Sequence, residues 1–211
     1  KPNPPEVLPE PGQYRVRPVI VLDAGHALIT RSLNVDPGAG NETLNESPIA
    51  LDIVERIAAG LKKNDCVAIL TRKGNATVLN KYDRIKLANA LKVNVFISLH
   101  INSSPDNRAG GCTTYYYRAN QKGLATCVQK RLVETTELRD RGIATGRFAV
   151  LTAAKVPSVL VEPAFLSKPD EAKLLELPEF KEKIAQGIVA GIMDFLETQK
   201  RIPATPTTNQ E

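Results

Sequence analysis

Three stretches of the chain are almost continuously apolar, and each stops at a residue able to do chemistry. Pro18-Val-Ile-Val-Leu-Asp23 leads through Ala24-Gly25 to His26. Val95-Phe-Ile-Ser-Leu99 runs into His100, and Val159-Leu-Val161 runs into Glu162. Runs of Val, Ile, Leu and Phe without polar alternation belong to strands covered on both faces, which are mostly parallel strands of an α/β sheet. Such a sheet needs helices between its strands, and the intervening sequence has helical periodicity. Phe180, Ile184, Ile188, Ile192 and Phe195 line one face of a helix. Ser47-Pro48 reads as the N-cap and first residue of another helix that reaches Asn64 through Val54, Ile57 and Leu61. Two more helices are expected over Leu79–Leu91, with Tyr82, Ile85 and Ala88 inward, and over Asn120–Glu137. Strands are expected at Pro18–Asp23, Cys66–Thr71, Val93–Leu99, Cys112–Tyr117 and Ser158–Glu162.

A chain of 211 residues is long enough for one domain with a sizeable core. The segment Lys1 to Gly12 contains five prolines and little apolar material, so residues 1–14 read as a semi-extended linker. Residues 15–199 are the expected folded domain, and the polar residues 200–211 a disordered tail. The chain begins at Lys1, and a targeting segment is expected to have been removed. No apolar stretch approaches the ~18 residues of a membrane span. The formal charge of +5 permits an anionic partner, but the basic residues are scattered, which argues against nucleic-acid binding. The three cysteines form no metal or redox spacing and no full disulfide framework.

His26 and His100 are the only two histidines, and both fall at strand ends, where α/β proteins keep ligands. Two unrelated core or capping histidines would be the bland alternative. There is no G-x-S-x-G nucleophile elbow, no P-loop and no dinucleotide-binding glycine fingerprint. Metal binding fits better: catalytic zinc takes three ligands from His and Asp/Glu and keeps a position for water. Asp36, Glu42 and Glu46 are the candidate third ligands, and Glu46 stands at the start of the first helix, where a carboxylate could also simply cap. Glu162 closes a buried run with a charge. That is costly unless the charge is paired, solvated or used, for instance as the base that takes a proton from water.

These segments together resemble the zinc-dependent N-acetylmuramoyl-L-alanine amidases. The matching residues are Val21-Leu-Asp-Ala-Gly-His26, Asp36-Pro-Gly-Ala39, Glu46, Thr71-Arg72, Arg84 with Ala88-Asn-Ala90, Phe96-Ile-Ser-Leu-His100-Ile-Asn102, and Pro157-Ser-Val-Leu-Val-Glu162-Pro-Ala-Phe-Leu-Ser167. The resemblance implies a six-stranded, mostly parallel α/β domain similar to zinc exopeptidases. It implies one zinc ion held by His26, Glu46 and His100, with Glu162 as catalytic base. It also implies hydrolysis of the amide between the lactyl group of N-acetylmuramic acid and L-alanine of the stem peptide, in a monomer acting on peptidoglycan in the periplasm or the extracellular wall. Ala27 stands where the family often has Gly, residues 28–35 lengthen the following loop, and Lys168 stands where it often has Asn. Lys168 is therefore expected to alter charge near the substrate. Tyr117 leads almost directly into the next helix, which leaves no room for the site-plugging helix of some cell-division relatives. A zinc exopeptidase or deacylase on another amide, and a catalytically silent wall-binding domain, are the competing readings.

Overall fold

The computed structural model describes residues 17–27, 36–40, 44–74, 76 and 79–200. The expected linker, residues 28–35 and residues 201–211 of the expected tail lie outside these described residues, while Lys200, expected in the tail, is the last residue of a helix. The described chain forms β1 (Val19–Ala24), α1 (Glu46–Lys63), β2 (Val67–Leu70), α2 (Lys81–Ala90), β3 (Val95–Leu99) and β4 (Cys112–Tyr116). It continues through a single 3-10 turn, Ala119–Gln121, into α3 (Lys122–Thr136), β5 (Asp140–Thr145), α4 (Ala149–Thr152), β6 (Ser158–Glu162), α5 (Pro169–Glu176) and α6 (Pro178–Lys200). One six-stranded sheet has the order β2-β1-β3-β6-β4-β5. All neighbours pair parallel except β4 against β6, so β4 and β5 run opposite to the other four strands.

Strand alternation splits the apolar residues between two cores. Ile20, Leu22 and Ala24 of β1, Val95, Ile97 and Leu99 of β3, and Val159 and Val161 of β6 face the larger core under α1, α3 and α6. Val21, Phe96 and Leu160 face the smaller core with Ile85 and Ala88 of α2 and Val150 and Leu151 of α4. Both faces are thus covered, which accounts for the uninterrupted apolar runs. Each fully buried Leu, Ile or Phe contributes roughly 1.5–3 kcal/mol relative to exposure.

Three expectations need correction. Helix α1 begins at Glu46 behind the N-cap Asn45, so Ser47 and Pro48 lie inside its first turn. Proline is tolerated there because first-turn amides have no partner within the helix. Tyr82 points outward and is 51% exposed, while Arg84 takes a buried place on α2. The strand β5 and the short helices α4 and α5 had no periodic pattern long enough to announce them.

Candidate active site

The site is assembled at the carboxyl ends of β1, β3 and β6, where adjacent parallel strands deliver His26, His100 and Glu162 to one groove of about 920 Å³. His26 has φ +56°, the left-handed region that a residue with a Cβ rarely adopts, so the surrounding structure must hold it. Two buried arginines do so. Arg84 donates through Nη2 to the His26 carbonyl (3.0 Å) and through Nη1 to the Ala24 carbonyl (2.9 Å). Arg72 donates through Nε to the Ala24 carbonyl (3.0 Å) and through Nη2 to the Gly25 carbonyl (3.1 Å). Burial and the neighbouring Arg84 charge lower the Arg72 pKa to about 10, which still leaves it cationic at neutral pH.

Asp23, buried at the end of β1, organises this support. It accepts from Arg84 Nη1 (3.0 Å), the Thr71 hydroxyl (2.7 Å) and the Ser98 hydroxyl (2.7 Å). The register pairs Asp23 with Ser98, so the last contact follows directly from strand alignment. Thr71, Arg72 and Arg84 entered the sequence reading only as residues of a matching pattern, and their bracing role was missed. The available signal was an Asp inside an apolar strand, which requires buried partners.

Glu46 joins the two histidines. Its Oε1 lies 2.8 Å from His100 Nδ1, and its Oε2 lies 3.3 Å from His26 Nε2. It also accepts from the backbone amides of Ile101 (3.0 Å) and Ala39 (2.8 Å). Burial opposes its charge, but His100 and His26 outweigh that cost and hold the carboxyl well below its usual range. Burial likewise works against a charge on His26, while Glu46 and Asp36 win and raise its pKa. A Cβ at Gly38, whose φ is +74°, would collide with the Glu46 carboxylate and sit 2.7 Å from the His26 ring, so only glycine closes the turn over this carboxylate.

The structure therefore brings together His26, Glu46 and His100, with one ligand atom from each lying within 4.8 Å of the others. Two imidazole nitrogens and one carboxylate oxygen, converging at this spacing, are a donor set that suits zinc. Asp36 lies behind this cluster, its Oδ1 2.7 Å from His26 Nδ1. A proton at Nδ1 donated to Asp36 leaves the Nε2 lone pair for a cation. Glu42 falls outside the described residues. Ala27 is buried and pairs through its backbone with Asp36, closing the neck of the 28–35 loop (3.0 and 3.2 Å). Lys168 is not among the residues that line the groove. Its ammonium pairs with the buried Glu171 (3.1 Å), which also accepts from the amides of Gly111 (2.9 Å) and Phe165 (2.8 Å).

Glu162 is the unsatisfied member of the site. Its Oε2 is sealed from solvent and, among the described residues, has no hydrogen-bond partner. Burial first, and the Glu46 charge second, push its pKa well above the ordinary carboxylate value. An orphan buried carboxyl in a native structure calls for a reason, and proton transfer is one.

Fold and site together define a class: an α/β domain with a candidate three-residue metal cluster and a nearby unpartnered carboxylate, the equipment for hydrolysis by activated water. A family model described as N-acetylmuramoyl-L-alanine amidase matches residues 20–194, and the chain belongs to that family. It is 33% identical over 180 residues to N-acetylmuramoyl-L-alanine amidase LytC of Bacillus subtilis, covering 83% of this chain and 35% of that protein. It is 28% identical over 203 residues to the germination-specific N-acetylmuramoyl-L-alanine amidase of the same species, covering 88% of this chain and 82% of the relative. Among solved structures, it is similar to the catalytic domain of CwlV, an N-acetylmuramoyl-L-alanine amidase from Bacillus (Paenibacillus) polymyxa. There the TM-score is 0.79 and the identity 35%, covering 85% of this chain and 98% of that one. The chain spans about a third of the length of LytC, 35%.

Proposed function

We propose that this chain hydrolyses the amide between the lactyl group of N-acetylmuramic acid and L-alanine of the peptidoglycan stem, using one zinc ion held by His26, Glu46 and His100. The observation that carries the reading is the unpartnered carboxyl of Glu162, a residue that lines the same groove as the cluster. Zinc bound there would supply Lewis acidity, which acidifies water and polarises the scissile carbonyl. Glu162 accepts the proton of the attacking water on its carboxylate, and its raised pKa makes it a stronger base than an exposed carboxylate. The same carboxyl then gives that proton to the alanine nitrogen as the carbon–nitrogen bond breaks. Asp36 keeps the His26 ring oriented, and Arg72 and Arg84 keep its backbone in place.

Only residues 117 and 118 separate β4 from the turn before α3, which supports a groove that works without an activating partner. Among the described residues no helix is long and apolar enough to cross a membrane. The substrate places the site of action in the periplasm or the extracellular wall, and a monomer suffices because one chain supplies every proposed site residue. Glu162→Gln tests the assignment. The variant should keep one zinc per chain by elemental analysis while release of new L-alanine amino termini from purified peptidoglycan collapses, roughly 100-fold or more. Undiminished release by the variant would remove Glu162 from the mechanism. Release of a different amino terminus by the wild type would move the substrate to another amide.

A further inference from the structure

The groove is lined by four carboxylates, those of Asp36, Glu46, Asp83 and Glu162 in addition to the buried Asp23, and by two Lys/Arg side chains, Lys81 and Arg84. Arg84 is buried and committed to Asp23 and to backbone carbonyls. Lys81 is different. It is exposed at the first residue of α2, and among the described residues no carboxylate lies within ion-pair distance of it. Its nearest acidic neighbour along the helix is already engaged, since Asp83 accepts from Asn80 Nδ2 (2.6 Å) and pairs with Lys86 (3.1 Å). Lys81 lines the groove, and its ammonium stands 5.4 Å from the centre of the exposed Tyr82 ring.

We infer that Lys81 is a specificity-determining residue that binds a carboxylate of the stem peptide and so favours stems whose carboxyl groups are free over stems in which they are amidated. The inference rests on the amidase reading above and deepens it. Zinc on the cluster would offset the Glu46 charge and act on the scissile carbonyl, but the carboxylates of Asp36 and Asp83 still border the groove, so a carboxylate farther along the stem is favoured only where a side-chain cation is placed for it. Lys81 is the accessible cation among the described lining residues, and a compact ammonium on a flexible stem suits a carboxylate whose position varies. A carboxamide at the same position offers no charge, so discrimination follows from the loss of one ion pair.

The probes are two synthetic muramoyl peptides, matched except that the stem carboxyl groups are free in one and carboxamides in the other. With the zinc-loaded protein, the free acid should show a KM roughly three- to fivefold lower, the scale of one exposed ion pair, and added salt should erode the difference. Lys81→Ala should bring the KM ratio to about one, Lys81→Glu should invert it, and Lys81→Arg should preserve it. The effect should fall on KM rather than kcat, whereas a merely structural role would move both substrates together. An unchanged ratio in Lys81→Ala, or a ratio of one in the wild type, overturns the inference. Cleavage of neither probe by the wild type would instead overturn the amidase reading.

Discussion

At the scale of single residues, the site sets carboxylates in opposed states. Glu46 is held charged by two imidazoles and two amides, whereas Glu162 is pushed toward its neutral form by burial and by Glu46 itself. A carboxyl whose folded pKa is raised binds a proton more tightly when folded, so it costs stability above its unfolded pKa and costs nothing below it. Glu162→Gln should therefore stabilise the metal-free protein at neutral pH, seen as a higher melting temperature. The gain should vanish below about pH 4, near the unfolded carboxyl pKa, in thermal melts recorded across pH. In activity the sign is opposite: the base works only when ionised, so kcat/KM should fall as pH drops through an acid limb lying above the ordinary Glu value. Asp36 supplies the complementary case. Its side chain is 55% exposed, so Asp36→Asn should leave the metal-free melting temperature nearly unchanged. Its hydrogen bond orients His26, so zinc affinity measured by competition with a chromogenic chelator should weaken about 10- to 100-fold. An unaltered zinc affinity would leave Asp36 without a role at the metal.

At the scale of elements, what could be read from sequence depended on whether the element carried its own period. Strand β6 is legible to the residue because Ser158–Glu162 is buried on both faces. Strand β5 is an edge strand with no buried residue and a Gly142 at φ +78°, so Asp140–Thr145 presents no apolar signal. The histidines and Glu162 were legible because they close strong strands. The Asp23 hub was not, because its partners Ser98 and Arg84 lie 75 and 61 residues away and meet it only through strand register and helix placement. Tyr82 was misplaced for a related reason: spacing alone cannot tell that the chain needs Arg84 inside to brace β1. Helix α6 shows a constraint that its apolar stripe concealed. A Cβ on Gly191 would stand 2.5 Å from Val128 Cα and 2.9 Å from the Cys127 carbonyl oxygen, so α3 and α6 approach backbone to backbone. Gly191→Val should force them apart and cost about 1–3 kcal/mol. Since neither helix lines the groove, kcat measured well below the melting transition should remain near wild type. A proportional loss of kcat at low temperature would show that the α3–α6 seam is coupled to the site.

At the scale of the whole molecule, stability and function meet in the cluster that joins β1, α1 and β3. Without a cation, the loop after β1, the first turn of α1 and the end of β3 are held together by one carboxylate between two imidazoles. The raised pKa of His26 favours its protonated ring, which strengthens its tie to the Glu46 carboxylate. A bound metal needs the free lone pair of each ligand nitrogen, so it displaces the proton that His26 favours and ties the same three elements from the centre. Such a ligand stabilises only the folded chain, by about 2.7 kcal/mol when free zinc is one hundred times its dissociation constant. For a domain of this size each kcal/mol moves the melting temperature by about 2–4 °C, so zinc loading should raise it by roughly 5–10 °C and a chelator should reverse the shift. His100→Ala should abolish most of the shift, whereas Glu162→Gln should keep it, because Glu162 reaches the groove without belonging to the cluster. The shift should also fade as pH drops below neutrality, since protons compete with the metal for His26, whose pKa is raised. A melting temperature indifferent to zinc at neutral pH would mean that the cluster holds its three elements by hydrogen bonds alone, and the hydrolytic reading would lose its metal.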